Sequence, residues 1–318
     1  LILDKFLKGD GRGKAFFLAP MAGITHSAFR RLVSDFGGYD ALFTEMIHGR
    51  AVLHRKNEES PFTKKRECEG DVIYQLLLTG EENLSAVIDN INSINPAGID
   101  LNAACPAPEV QKYGSGFALF MDLPRFAKVL ESLRKYWKGS LSVKCRLGFS
   151  SDHWEPHFFE ALKIIRNSDI DFLTVHPRFA GEKLKRPARW DLIPEIKEHS
   201  KIPLIINGDI FSMEDVQTHP STLGLADGYM IGRMAAVKPW IFNEFQGKNP
   251  IISYREVWSR FYDYAREDLP QEMLLQRVKD FTAYFARNFF FGQELFGQIQ
   301  HVSDISTMRD RVMAFLGK

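Results

Sequence analysis

Up to about Phe245 the chain alternates short apolar runs with amphipathic stretches. The runs Phe16 to Ala19, Ala41 to Met46, Val72 to Leu78, Gly98 to Asn102, Leu141 to Arg146, Asp171 to His176, Pro203 to Asn207 and Asp227 to Ile231 predict strands. Helical spacing lies between most of them: Val129, Leu130 and Leu133 within Phe126 to Trp137, and Phe158, Leu162 and Ile165 within His157 to Arg166. About eight strands joined by helices is the count of an α/β protein of the (β/α)8 TIM barrel type. A doubly wound open sheet is the rival. Its glycine-rich fingerprint is missing after the first strand, where Pro20-Met21-Ala22-Gly23 stands.

Gly247-Lys248-Asn249-Pro250 reads as a linker, and beyond it strand signals largely stop. Val257, Phe261, Tyr264 and Ala265 mark one helix face, Val278, Phe281, Phe285 and Phe289 a second, and Met308, Val312 and Phe315 a third. The reading is a barrel over residues 1–245 and a small helical-bundle domain over 246–318.

Composition narrows the class. A chain of 318 residues, 45% hydrophobic and with a net charge of +1, suits a soluble protein with one large domain and a smaller one. No stretch reads as a membrane span or a secretory signal, and the absence of an initial Met reads as a trimmed start. Three cysteines, Cys68, Cys105 and Cys145, point to a reducing cytoplasm without a disulfide framework or a CxxC metal site. At near-neutral charge, a nucleic-acid partner requires local basic patches.

Barrel enzymes build their sites where strands end, which makes the polar residues there candidates. They are Glu45, Gln75, Asn102, Lys144, Arg146, His176, Arg178, Asn207-Gly208-Asp209 and Gly232-Arg233. Lys144 and Arg146 share one side of the pleat, with Cys145 on the other. For Glu45 and Asp209 a solvated strand end is the plainer reading. Glycines with Arg233 at the last two strand ends suit a phosphate. Lys144 suits negative charge on a reduced flavin ring, with Gln75 and His176 bonding its edges or ribityl chain. FMN fits this pattern better than a metal, for which only His176 stands out. Past the fourth strand, LNAACPAPEVQKYGSGFALF (Leu101 to Phe120) sets Cys105 on a loop three residues after Asn102. Its thiol is a candidate reactive centre, or else a buried small hydrophobe.

The motifs LAPMAGIT, TEM, LNAACP with VQKYGSG, VKCRLG, VHPR, ARW, IPLIINGDI and MIGR follow one another between Leu18 and about Phe242. In this order they resemble the tRNA-dihydrouridine synthases. The resemblance implies an FMN-bound barrel followed by a helical RNA-binding domain, NADPH as reductant and a uridine of tRNA as substrate. It puts flavin contacts on Pro20, Met21, Ala22, Gln75, Lys144, His176, Asn207, Gly208, Asp209, Gly232 and Arg233. It puts the general acid on Cys105 and a uracil-contacting amide on Asn102. Ala104 stands where the family usually has Gly, and a methyl there would tighten the reactive loop. A thiol with a pKa of ~8.5 stays mostly protonated at neutral pH, as proton donation to a uracil carbon requires.

Further substrate contacts are expected from Arg146, Arg178, Lys183, Lys185 and Arg186. The loop Arg178 to Trp190 carries five cationic side chains against one acid, and is expected at the catalytic face. There it meets either tRNA phosphates or, on the plain reading, solvent. A monomer is expected. Two rival functions stay open: an FMN barrel reductase of a small pyrimidine or enone, and a non-catalytic RNA-binding protein.

Overall fold

The computed structural model describes residues 13–54, 60–182 and 185–317. Eight parallel strands form a barrel: β1 (Ala15–Leu18), β2 (Ala41–Phe43), β3 (Val72–Leu77), β4 (Gly98–Ala103), β5 (Ser140–Arg146), β6 (Phe172–His176), β7 (Leu204–Asn207) and β8 (Gly228–Ile231). Each pairs with the next, and β1 pairs with β8, Ala15 opposite Gly228, so the sheet closes into a TIM barrel. Closure needs a glycine at this seam: a Cβ on Gly228 would lie 2.6 Å from the Ala15 carbonyl oxygen.

The expected second strand, Ala41 to Met46, ends earlier, at Phe43. Beyond it the Thr44 hydroxyl accepts the Gln75 N–H at 3.1 Å, and a two-residue strand, Ile47–His48, then pairs with Leu76 and Leu77.

Period-two alternation sorts the barrel interior into layers. Its floor is apolar, built by Phe17, Phe43, Ile73, Phe172, Ile205 and Met230. The Phe17 ring lies 5.9 Å from Phe43 and 5.5 Å from Phe172. Two residues further along β3, β6 and β7, the same side of the pleat carries Gln75, Thr174 and Asn207, while Glu45 and Gly232 follow just past the ends of β2 and β8. Outward residues such as Leu42, Leu101, Val143, Cys145, Val175 and Ile206 join the layer between sheet and helices.

The helices α1 (Ser27–Phe36), α2 (Leu84–Asn92), α3 (Leu123–Tyr136), α4 (Trp154–Asn167), α5 (Ile193–Ser200), α6 (Met213–Thr218) and α7 (Arg233–Val237) alternate with the strands. α3 starts before its hydrophobic spacing does, because the Asp122 side chain accepts the Arg125 N–H and Pro124 sits in the first turn.

Four helices follow the coil after Gly247: α8 (Tyr254–Asp268), α9 (Gln271–Phe285), α10 (Gly292–Ile299) and α11 (Ile305–Phe315). α8 packs on α1, where Arg31 lies 3.8 Å from the Tyr264 ring centre. α9 reaches the barrel mouth, bringing Arg277 to 3.7 Å from Glu45. Phe289, expected on the same face as Phe285, lies beyond α9 after the 3-10 turn Ala286–Asn288. There it packs on Tyr254 at 4.9 Å and Phe315 at 5.4 Å. Among the described residues no helix is long and apolar enough to cross a membrane.

Candidate active site

At the C-terminal ends of the strands lies a cavity of about 320 Å³. Pro20, Met21 and Ala22 follow β1, Lys144 and Arg146 end β5, and His176 ends β6. Asn207, Gly208 and Asp209 follow from β7, and Gly232 and Arg233 from β8; all line it. Of the residues expected to contact a flavin, only Gln75 is absent from the lining, being fully buried.

The cavity wall is cationic. Lys144 and Arg146 are both nearly buried. Burial, then the Arg146 charge, pulls the Lys144 ammonium down to about 8 against the pull of Asp100. Burial and the nearby Arg178 bring Arg146 to about 10. The Nη1 of Arg146 is buried without a hydrogen-bond partner. An orphaned guanidinium nitrogen in a cavity wall calls for an acceptor from a ligand. His176 is kept neutral, far below its ordinary value, by burial and by Lys144, Arg146, Arg178 and Arg233. Arg178 Nη1 lies 2.9 Å from His176 Nε2, and an arginine only donates. Nε2 is therefore the acceptor, and Nδ1 carries the proton. Gly208 adopts a φ of +117°, and a Cβ there would lie 2.6 Å from the His176 ring.

Asp209 sits at a φ of +58° between Arg178 and Arg233, bonding the first closely and the second at 2.9 Å. Burial raises its carboxyl, but the bonds from Arg178 and the Ala188 N–H, with the charges of both arginines, hold it below the usual range. Arg178 is thus a buried strut rather than an open contact: it also donates to His176 and to the Arg186 carbonyl.

Beneath the cavity a chain of hydrogen bonds crosses β5, β4 and β3. Ser142 Oγ donates to Asp100 at 2.6 Å, Gln75 Nε2 donates to Asp100 at 2.7 Å, and Asn102 Nδ2 donates to Gln75 Oε1 at 2.7 Å. Asn102 Oδ1 then accepts the N–H groups of Ala104 at 3.1 Å and Cys105 at 2.9 Å. The carboxamide expected to read uracil therefore also sets the start of the Cys105 loop. The far end of that loop returns against Cys105: Phe117 N–H bonds the Cys105 carbonyl at 3.0 Å, and a Cβ on Gly116 would lie 2.9 Å from the same oxygen. Ala104 keeps an ordinary negative φ, so its methyl is accommodated without left-handed strain.

Cys105 is half-buried and does not line the cavity. Burial raises its thiol, outweighing the Ala107 backbone bond and the charges of Lys144 and Arg146, which lower it. The thiol is protonated at neutral pH. Cys145 faces the helix layer, buried and pushed up to about 12.

In the loop after β6, Arg189 pairs with Glu182 at 2.6 Å, and Lys185 and Arg186 are exposed. Lys183 lies outside the described residues. Two side chains at the mouth had no signal in the strand-end pattern. Tyr284 of α9 lines the cavity, and Arg277 faces Glu45, whose Oε2 accepts the Gly23 N–H at 2.6 Å. Among the described residues no cluster of three His, Cys, Asp or Glu could hold a metal.

The chain is similar to known proteins over most of its length. The family model described as Dihydrouridine synthase (Dus) matches residues 17–310. A protein of Helicobacter pylori (strain ATCC 700392 / 26695) named "Probable tRNA-dihydrouridine synthase" is 28% identical over 96% of this chain and 93% of its own. A tRNA-dihydrouridine(16) synthase of Neisseria meningitidis serogroup B is 27% identical over 99% and 98%. Among solved structures, an old yellow enzyme homologue from Zymomonas mobilis superimposes with a TM-score of 0.54 at 15% identity, covering 79% of this chain and 95% of that one; it shares the barrel fold. With a family model that spans the barrel and most of the helical tail, the chain belongs to the dihydrouridine synthase family of oxidoreductases.

Proposed function

We propose that this protein is a tRNA-dihydrouridine synthase that saturates the 5,6 double bond of a uridine in tRNA. In this reading it uses bound FMN, NADPH as reductant and Cys105 as the proton donor, and it works in the cytoplasm, where tRNA is. The observation that carries the reading is Cys105 on a loop anchored by Asn102, beside a cavity at the strand ends lined by Lys144, Arg146 and Arg233.

The residues present fit a flavin carrying a phosphate. The unpartnered Arg146 nitrogen, the Lys144 ammonium and Arg233 offer donors to an anionic ligand, and Gly208 and Gly232 line the same cavity. When bound, reduced FMN supplies the hydride that goes to C6 of the uracil. Lys144 would offer its ammonium to negative charge on the bound flavin. His176 offers its Nδ1 proton to a ligand acceptor. Cys105 gives its proton to C5, and the resulting thiolate takes a new proton from solvent. Asn102 has one Nδ2 hydrogen left over from its bond to Gln75, and that hydrogen is free for a uracil oxygen. The target base must leave its stack to enter, at a cost of a few kcal/mol.

The test separates the two half-reactions on tRNA prepared without dihydrouridine. Cys105→Ala should keep its flavin and oxidise NADPH normally while tRNA reduction falls by at least ~100-fold, the ordinary contribution of a general acid. Dihydrouridine formation at the wild-type rate, read by mass spectrometry, would remove Cys105 from this role. Wild-type reduction of free uracil but not of tRNA would overturn the substrate.

A further inference from the structure

Phe289, Phe290 and Phe291 are consecutive but fare differently. Phe289 packs into the helical core, whereas Phe290 is 94% exposed and Phe291 66%. A tight turn presents them. The Phe289 carbonyl accepts the Gly292 N–H at 3.1 Å, and a Cβ on Gly292 would lie 2.0 Å from the Ala286 oxygen, so only glycine lets α10 start there. Phe291 meets the Phe290 ring edge-on at 4.9 Å, which steadies it. Leaving such rings in water sacrifices the stabilisation that burial gives, and clustered exposed rings mark an interaction surface.

This surface is continuous with the active site. Phe290 and the part-exposed Phe296 wall a cleft of about 450 Å³ that Arg287 and Gln293 also line. Arg287 lines a second cleft together with Tyr284, and Tyr284 lines the catalytic cavity itself. Tyr284 lies in the last turn of α9, and Phe290 follows just beyond the 3-10 turn Ala286–Asn288. Asp280, the acid in the connecting cleft, lies 3.9 Å from Arg277 and accepts from Gln276 at 2.7 Å, so its charge is countered.

We propose that Phe290 and Phe296, with Arg287 beside them, form a stacking shelf for an unpaired base flanking the target uridine. This rests on the reading above that the substrate is RNA. Aromatic faces hold single-stranded bases without regard to sequence, and a guanidinium beside them meets the phosphate. The run of clefts that share Tyr284 and Arg287 suits a nucleotide near the one drawn into the barrel, whose base must leave its stack.

The experiment is a binding titration of unmodified tRNA at several salt concentrations with the full-length flavin-loaded protein. Phe290→Ala with Phe296→Ala should weaken binding about tenfold. The slope of affinity against salt should stay unchanged, because no charge is removed, and Phe290→Trp should bind as tightly as wild type. Unchanged affinity in the folded double variant overturns the shelf. So does a loss of self-association by sedimentation without an RNA effect, which would make the patch a contact between copies. Binding decides the shelf, whereas dihydrouridine formation by the wild type decides the functional reading, so the two fail separately.

Discussion

Asp100 shows how one buried side chain controls residues it never touches. As a carboxylate it can only accept, which turns Gln75 Nε2 towards it and Gln75 Oε1 towards Asn102. Asn102 is thereby left with its oxygen facing the Cys105 loop. Asp100→Ala should free Gln75 and leave donors unpaired, costing about 1.5–3 kcal/mol of stability and lowering tRNA reduction. Asp100→Asn can keep the order of bonds, since the Ser142 hydroxyl also accepts, and should restore activity. The charge itself is unfavourable. Burial lifts this carboxyl to about 6, against the bonds from Ser142 and Gln75 and the charge of Lys144. A folded value above the unfolded one means that the folded state binds the proton more tightly. Stability should therefore fall as pH rises through the window from ~4 to ~6, by roughly 3 kcal/mol when complete. Melting curves across that window should show this slope in the wild type and lose it in Asp100→Asn.

At the scale of elements, the most buried acid between α8 and the barrel side is Asp268, beside exposed pairs such as Arg260 with Asp35 at 3.1 Å. The Asp268 side chain is fully buried and meets Arg66 at 2.7 Å, Arg31 at 3.1 Å and Lys64 at 3.6 Å. Burial raises its carboxyl, but bonds from Arg66 and Arg31 outweigh this and hold it below the usual range. A depressed folded value contributes stability that is present above about pH 4 and is lost as pH falls through the folded value. Asp268→Ala should cost about 2–4 kcal/mol, because it leaves cations facing a buried space. Thermal unfolding at pH 7 measures the loss, and the gap between variant and wild type should close in acid. The hydrophobic spacing of α8 was readable from Val257, Phe261 and Ala265, but this partner set was not. Arg31, Lys64 and Arg66 stand roughly two hundred positions away, and no local pattern joins them.

For the whole molecule, the question is how something as large as tRNA is held while one base enters the barrel. The loop after β6 keeps its internal charges paired, Arg178 with Asp209 and Arg189 with Glu182, and leaves Lys185 and Arg186 outside. Of the five cations that the sequence places there, two are therefore structural. Neutralising Lys185 and Arg186 together should weaken tRNA binding and flatten its logarithmic salt slope by about 1.5, the value for two phosphate contacts. Flavin content should not change. A titration over several salt concentrations reads both effects, and an unaltered slope would make this loop a solvated surface.

Strand positions, apart from the early end of the second strand at Phe43, and the polar strand ends were legible in the sequence, because alternation along a strand is local and dictates which side chains share a face. Gln75, Lys144, His176 and Asn207 follow from that alternation once the strands are parallel and closed. Only the tertiary structure decided which polar groups are spent on one another. Arg178 and Asp209, expected as ligand contacts, also brace His176 and Arg233, and Asp209 still lines the cavity. Asn102 looked like a base reader and also carries the Cys105 loop. Tyr284 and Arg277 reach the mouth from a helix that nothing in its own spacing assigns to the site. The reason is physical: a residue's face is set by its neighbours along the chain, whereas its hydrogen-bond partner is set by whichever distant element closure of the barrel brings within about 3 Å.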